Sequence, residues 1–171
     1  MAKVEENTVE QETISPKELS LKGSNIIKNH MIVAMGFGVL PAPIVDLVGL
    51  TTTQLNMLRK LSHLYGHDFS EELAKKSIAS LLGGGLTLPI AMGVSSLVKS
   101  IPIMGHLIGA LSLGVTGAAS TYAIGRVFTK HFESDGDFLS FNSKKVKEEF
   151  EEELEKGKEV AKKMKKETTS A

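Results

Sequence analysis

The chain has 171 residues, with 20 basic and 20 acidic side chains and no cysteine, which leaves room for one domain of ordinary size plus tails. Balanced charge gives no general pull toward nucleic acid, and the missing thiols exclude disulfides, thiolate metal sites and a cysteine nucleophile. The even total hides a segregation: from Ile78 to Gly125 the only formal charge is Lys99, whereas residues 144–167 are mostly Lys and Glu.

Residues 1–14 are polar and acidic and carry no apolar run, so they are expected to form a disordered tail with no cleavable signal peptide. Any membrane insertion would then use internal segments. Ser15-Pro16-Lys17-Glu18 has the form of a helix start: a hydroxyl cap, a proline at the first helical position, and a glutamate closing the capping box. Gly23 and Ser24 suggest a break and a fresh cap before Ile26. Met31 to Val45 is uncharged but is interrupted by Gly36, Gly38 and Pro41-Ala42-Pro43. The prolines end a helix near residue 39 or 40, and the stretch is short of the roughly 20 residues that a bilayer span needs.

A second helix is predicted from Pro43 or Ile44 to about Tyr65, with Val48, Leu55, Leu58 and Leu61 at helical spacing. Asp46 falls in its first turn, where a carboxylate complements the helix dipole, and Gly66 is placed to close it. Asp68, with Glu71 three residues later, offers the cap of a third helix.

The centre of the chain is the most distinctive part. Ile78 to Val98 is uncharged, and Ile101 to Gly125 holds only His106 as a titratable group. Each is long enough to cross a hydrocarbon core of ~30 Å, and Lys99-Ser100 with Pro102 and Gly105 would form the tip of a hairpin. Lys75 and Lys76 before it, and Arg126 and Lys130 after it, favour a cytoplasmic side for both termini. Small residues recur every four positions: Gly105 with Gly109; Ala110, Gly114 and Ala118; Gly117, Thr121 and Gly125. Such rows let helix backbones approach closely and serve association in lipid, so these glycines are the candidate helix-packing residues, for the hairpin itself or for a homo-oligomer. The same apolarity also suits a hairpin buried as the core of a soluble bundle.

Residues 133–142 form a polar linker in which Phe138, Leu139 and Phe141 are expected to dock on the domain. Residues 143–171 then make a charged helix whose Val146, Phe150, Leu154, Gly157, Ala161 and Met164 form one apolar stripe, with Glu152–Lys156 and Glu159–Lys163 as i,i+4 pairs. The domain proper therefore spans 15–132, with the apolar hairpin at 78–125.

Chemistry is sparse. Gly83-Gly84-Gly85-Leu86-Thr87 lacks the lysine and hydroxyl of a phosphate loop. His63 and His67, followed by Asp68, are too few for a metal centre without a further ligand. No cofactor, metal or catalytic set is predicted. Asp46 and His63 are the candidate functional polar residues, and would have to converge in space to line a pocket.

Val33-Ala34-Met35-Gly36, Pro41-Ala42-Pro43-Ile44-Val45-Asp46, Gln54-Leu55-Asn56-Met57-Leu58-Arg59-Lys60-Leu61 and Leu64-Tyr65-Gly66 together resemble the bacterial YcjF-like domain of unknown function, over about residues 25–130. That resemblance implies a helical, membrane-associated domain that works beside a GTPase. This chain carries no GTPase motifs, so the GTPase would be a separate protein acting in trans. The resemblance brings no catalytic residue with it. The expected protein is thus an all-α helical bundle with a glycine-rich hydrophobic hairpin: a non-enzymatic interaction module at the cytoplasmic membrane, in contact with membrane lipid. The competing readings are a soluble cytoplasmic adaptor, and a ligand-binding bundle or enzyme around Asp46 and His63.

Overall fold

The computed structural model describes residues 14–37, 43–85 and 113–169. These form five helices: α1 (Pro16–Gly36), α2 (Pro43–Leu64), α3 (Glu71–Gly85), α4 (Leu113–Glu133) and α5 (Lys147–Thr169). No strand occurs among the described residues, and the architecture is the all-α bundle expected.

α1 starts as its sequence dictates. The Ser15 hydroxyl accepts from the Glu18 amide at 3.3 Å, and Pro16 takes the first helical position, where its missing N–H costs nothing. The break expected at Gly23 and Ser24 is absent, and α1 runs through both residues. Gly23 is instead buried where the ring of Tyr65 crosses the helix, and a Cβ there would lie 3.0 Å from the Tyr65 hydroxyl. The glycine serves a close approach, whose packing offsets its poor helix propensity. The described part of α1 ends at Gly36, a few residues short of the expected limit.

α2 ends in a Schellman turn. Gly66 takes φ +77°, and the His67 amide donates to the Ser62 carbonyl at 2.8 Å, satisfying a carbonyl at the helix terminus. α3 is capped by Ser70 rather than Asp68: the Ser70 hydroxyl faces the Leu73 amide at 3.5 Å, and its carbonyl accepts from the Ala74 amide. Asp68 lies two residues too early.

The contacts of α4 fix the directions of its neighbours. Gly125 packs against Ile27, and Gly117 against Ala34 and Leu50, so α1 is antiparallel to α4 while α2 is parallel to it. Gly157 of α5 sits on Ala119 and Tyr122, and Lys130 meets Glu149, which makes α5 antiparallel to α4. α4 is therefore central, and its Val115, Ala118, Ala119, Ala123, Ile124, Val127 and Phe128 are all buried. α3 packs against α2 and the first turns of α5, placing Ile78 and Leu81 in the core.

Of the hairpin expected over 78–125, only the two ends fall among the described residues. Residues 78–85 belong to α3 and residues 113–125 to α4, and both are packed against other helices of the same chain. No helix among the described residues is long and apolar enough to cross a membrane. The tip at Lys99-Ser100, together with Gly105, Gly109 and His106, lies outside the described residues.

An aromatic cluster seals the end near the α4 C-terminus. Phe128 stacks on Phe141 with centroids 4.4 Å apart, and Phe138 sits among Phe69, Phe128 and Phe132. Phe138 and Phe141 dock the linker as expected, but Leu139 is 80% exposed. A reciprocal turn orients the segment: the Ser140 amide donates to Asp137 Oδ1 at 2.8 Å and the Asp137 amide to Ser140 Oγ at 2.9 Å. With Phe138 and Phe141 both committed inward, the intervening leucine has no inward direction left.

Candidate functional site: the faces of α4

Three of the candidate packing glycines fall on α4, and each meets a different neighbour. A Cβ on Gly114 would collide with the Met35 carbonyl oxygen. One on Gly117 would touch the Ala34 carbonyl at 3.4 Å and Leu50 at 3.5 Å. One on Gly125 would fall 2.7 Å from Ile27 Cγ1 and 3.2 Å from the Met57 sulfur. At these three positions the neighbours are α1 and α2 of the same chain, while Gly105 and Gly109 lie outside the described residues.

Against α2, the same helix carries a polar layer. Gln54 is 1% exposed, and its Nε2 donates to Ser120 Oγ at 3.2 Å and to Thr121 Oγ1 at 3.4 Å. Both hydroxyls in turn donate to the Gly117 carbonyl, at 2.9 and 2.8 Å. A buried amide is tolerated only when its bonds are made. Here the layer also fixes which turn of α2 meets which turn of α4.

Against α5, α4 presents charge. Glu153 is 2% exposed, and three cations surround its carboxylate: Lys156 at 2.9 Å, Lys130 at 3.7 Å and Arg126 at 3.8 Å. Lys130 also reaches Glu149 at 2.7 Å. The Glu149 carboxylate holds Lys130 above its ordinary pKa, with Glu153 adding to the effect. One turn further along α5, Gly157 lets the backbone settle on α4, and a Cβ there would come within 2.7 Å of the Ala119 carbonyl. Sequence spacing marked Gly157 as part of the stripe but not Glu153, which reads as one more surface glutamate in Glu151-Glu152-Glu153. The i,i+4 pairs expected on α5 give way to i,i+3 pairs, Lys156 with Glu153 and Lys162 with Glu159.

The candidate polar residues do not form a site. Asp46 and His63 both belong to α2, 17 residues apart in sequence, which at the α-helical rise places them about 25 Å apart. No pocket can be lined by both. His63 is exposed in the last turn of α2, and the Asp46 side chain lies outside the described residues. His67 is engaged elsewhere: its Nε2–H donates to the Phe132 carbonyl at 3.2 Å and its ring stacks on Phe132. Among the described residues, no group of three or more His, Asp or Glu is arranged to hold a metal ion.

His30, which the sequence pattern did not single out, is buried on α1, where its Nδ1–H donates to the Ile26 carbonyl at 2.7 Å. Burial lowers its pKa below the usual histidine value, partly opposed by that hydrogen bond and assisted by nearby Lys60. Tyr65 is pushed up to about 12, first by burial and then by donating to the Glu133 carboxylate at 3.0 Å. Tyr65 ties the end of α2 to the end of α4, whereas the His30 hydrogen bond stays within α1.

Several surface grooves lie among the described residues, and two of them flank α2 and α1. One, between α2 and α3, is lined by Val48, Thr52, Leu55, Asn56, Arg59 and Lys75. The other lies between the parallel helices α1 and α5, over α4. An internal core joined by glycine contacts and one buried ion cluster, with open grooves outside, defines a helical bundle domain. The chain belongs to the family described as Domain of unknown function (DUF697), which it matches over residues 3–159. It is also 40% identical over 146 residues to magnetosome membrane protein 22 of Magnetospirillum gryphiswaldense, covering 85% of this chain and 75% of that protein. No solved structure matches the chain.

Proposed function

We propose that the protein is a non-enzymatic helical interaction module held at a membrane. The observation that carries this reading is the run 86–112, between α3 and α4 in sequence: 27 residues in which Lys99 and His106 are the only titratable side chains. Such a run is the part of the chain suited to contact with a hydrocarbon core. The flanking Lys75, Lys76, Arg126 and Lys130 favour the cytoplasmic side for the bundle. A relative that is itself named a membrane protein supports the same reading.

The test is membrane fractionation with an alkaline carbonate wash, on the natural chain and on a variant carrying Ile108→Glu and Leu111→Glu. Retention of the natural chain and release of the variant, with helicity unchanged by circular dichroism, is the expected result. Release of both as monodisperse protein would leave the soluble adaptor as the better account. From the resemblance to the YcjF-like domain, we further propose that a separate GTPase is the partner in trans. Affinity capture from crosslinked cells, with recovery of a GTPase that also stimulates or slows GTP hydrolysis on addition of this protein, would support it. Recovery of none would remove it.

A further inference from the structure

Leu139, at 80%, is the most exposed large hydrophobic side chain among the described residues. It is also held in place. Phe138 and Phe141 on either side pack into the aromatic cluster, the exchange between Asp137 and Ser140 closes the turn, and His131 Nε2–H donates to the Asp137 carbonyl at 2.8 Å. An apolar group fixed in an outward direction loses little freedom when a pocket closes over it. Residues 133–140 also carry Glu133, Asp135 and Asp137, and no lysine or arginine. The loop is thus the complement of an apolar pocket beside cations.

The groove between α2 and α3 is such a pocket. It encloses about 620 Å³, and its apolar side chains are Val48 and Leu55. Val48, 61% exposed, supplies most of that surface, since Leu55 is 9% exposed. Glu71, the one acid in the lining, meets Arg59 at 3.7 Å and Lys75 at 2.6 Å; two cations against one carboxylate leave the groove with a net positive charge. Within one chain the two features do not meet, because Leu139 and Val48 both stay exposed. They are nonetheless neighbours. The Phe69 ring lies under the Arg59 guanidinium at 4.7 Å on the groove side, and packs edge to face with the Phe138 ring at 5.7 Å on the loop side. We infer that two copies of this chain associate reciprocally, the Leu139 loop of each seated in the α2–α3 groove of the other. A two-fold pair makes both contacts at once and closes on itself, so the product is a dimer rather than a filament. The assignment is independent of the membrane reading, since neither surface belongs to residues 86–112.

The chain has no cysteine, so single introduced cysteines report the contact directly. Full-length Leu139→Cys and Val48→Cys proteins, mixed and mildly oxidised in the fraction where the natural chain resides, should give a disulfide-linked heterodimer. Leu139→Cys mixed with Ile32→Cys, a site on α1 that is 54% exposed, gives the collisional background. Sedimentation of the natural chain should show a monomer–dimer equilibrium. Leu139→Ser should weaken it at least about tenfold and leave helicity and Tm unchanged, because the side chain is mostly in solvent. Cross-linking at the background level, or of Leu139→Cys only with itself, would overturn the assignment. So would a chain that stays monomeric, or an equilibrium indifferent to Leu139→Ser. A cross-link formed in cells only with a different protein would give the loop to another partner and refute self-association. Open-ended polymers in place of dimers would refute the two-fold geometry.

Discussion

Gly157→Ala separates helix propensity from helix packing in a single measurement. In an isolated helix the change stabilises by about 1 kcal/mol. In the bundle, the added methyl would lie 2.7 Å from the Ala119 carbonyl oxygen and 3.1 Å from both Ala119 Cα and Tyr122 Cδ1. Two of those neighbours are backbone atoms in the middle of α4, which cannot rotate aside, so α5 must move away by about half an ångström. A gap of that size forfeits roughly a quarter of the dispersion energy of each contact it opens, and the contacts concerned include Phe150 and Ala161, both buried on the same stripe. Overpacking of this kind costs about 1–3 kcal/mol, so the net expectation is a loss of up to about 2 kcal/mol. For a chain of this size that is a fall in Tm of up to roughly 8 °C. Gly83→Ala in α3 is the matched control: nothing lies within 4 Å of its Cβ position, and a rise of up to about 1 kcal/mol is expected, reduced because the site is close to the helix end. Thermal unfolding followed by circular dichroism reads both variants. A Gly157→Ala protein that melts higher, in step with Gly83→Ala, would refute the packing argument and make α5 a loosely held arm.

Glu153→Ala should lower stability by roughly 2 kcal/mol in urea unfolding. That is less than the 3–5 kcal/mol typical of breaking a fully buried pair, because Lys130 and Lys156 are half exposed and can turn to water; a change below half a kcal/mol would show that the cluster is incidental. Gln54→Leu should cost about 1 kcal/mol or less, since Ser120 and Thr121 keep the Gly117 carbonyl as acceptor, whereas Gln54→Ala, which also opens a cavity, should cost about 2–3 kcal/mol by the same chemical unfolding. The depressed pKa of buried His30 means that the unfolded chain binds more protons below about pH 6.5, so the contribution of His30 to stability is complete above that pH and is lost as pH falls toward its folded value. Tm measured between pH 7.5 and 5.5 should therefore fall more steeply in the natural chain than in His30→Gln; parallel curves would show that His30 is not the titrating group.

Helix positions were legible where local chemistry decides them. The Ser15-Pro16 start and the Gly66 stop are set by backbone geometry within a few residues, and the sequence shows both. Signals that depend on a tertiary neighbour were not legible in the same way. Gly23 has the form of a break until Tyr65 is seen lying across it, and Asp68 is as good a cap by type as Ser70. Glu153 carries no mark in the sequence, because only the antiparallel docking of α5 on α4 brings Arg126 and Lys130 to it. The groove between α1 and α5 draws on three helices separated by up to 140 residues, and no local pattern could have shown it.

The small-residue rows show most clearly what a pattern can and cannot report. Gly114, Gly117 and Gly125 do mark places where backbones come close, but the neighbours are α1 and α2 of the same chain, in a bundle whose outer face carries the charges. A row of small residues reports the distance between helix axes, not the solvent around them. α4 needs such rows because it is buried on nearly every side, and large side chains at those positions would hold α1, α2 and α5 too far out to close one core. Membrane association therefore draws no support from α4. It rests on the run 86–112, whose one formal charge is Lys99, and on the relative named as a membrane protein, and charge substitutions within that run, rather than in the glycine rows, are the ones that decide it.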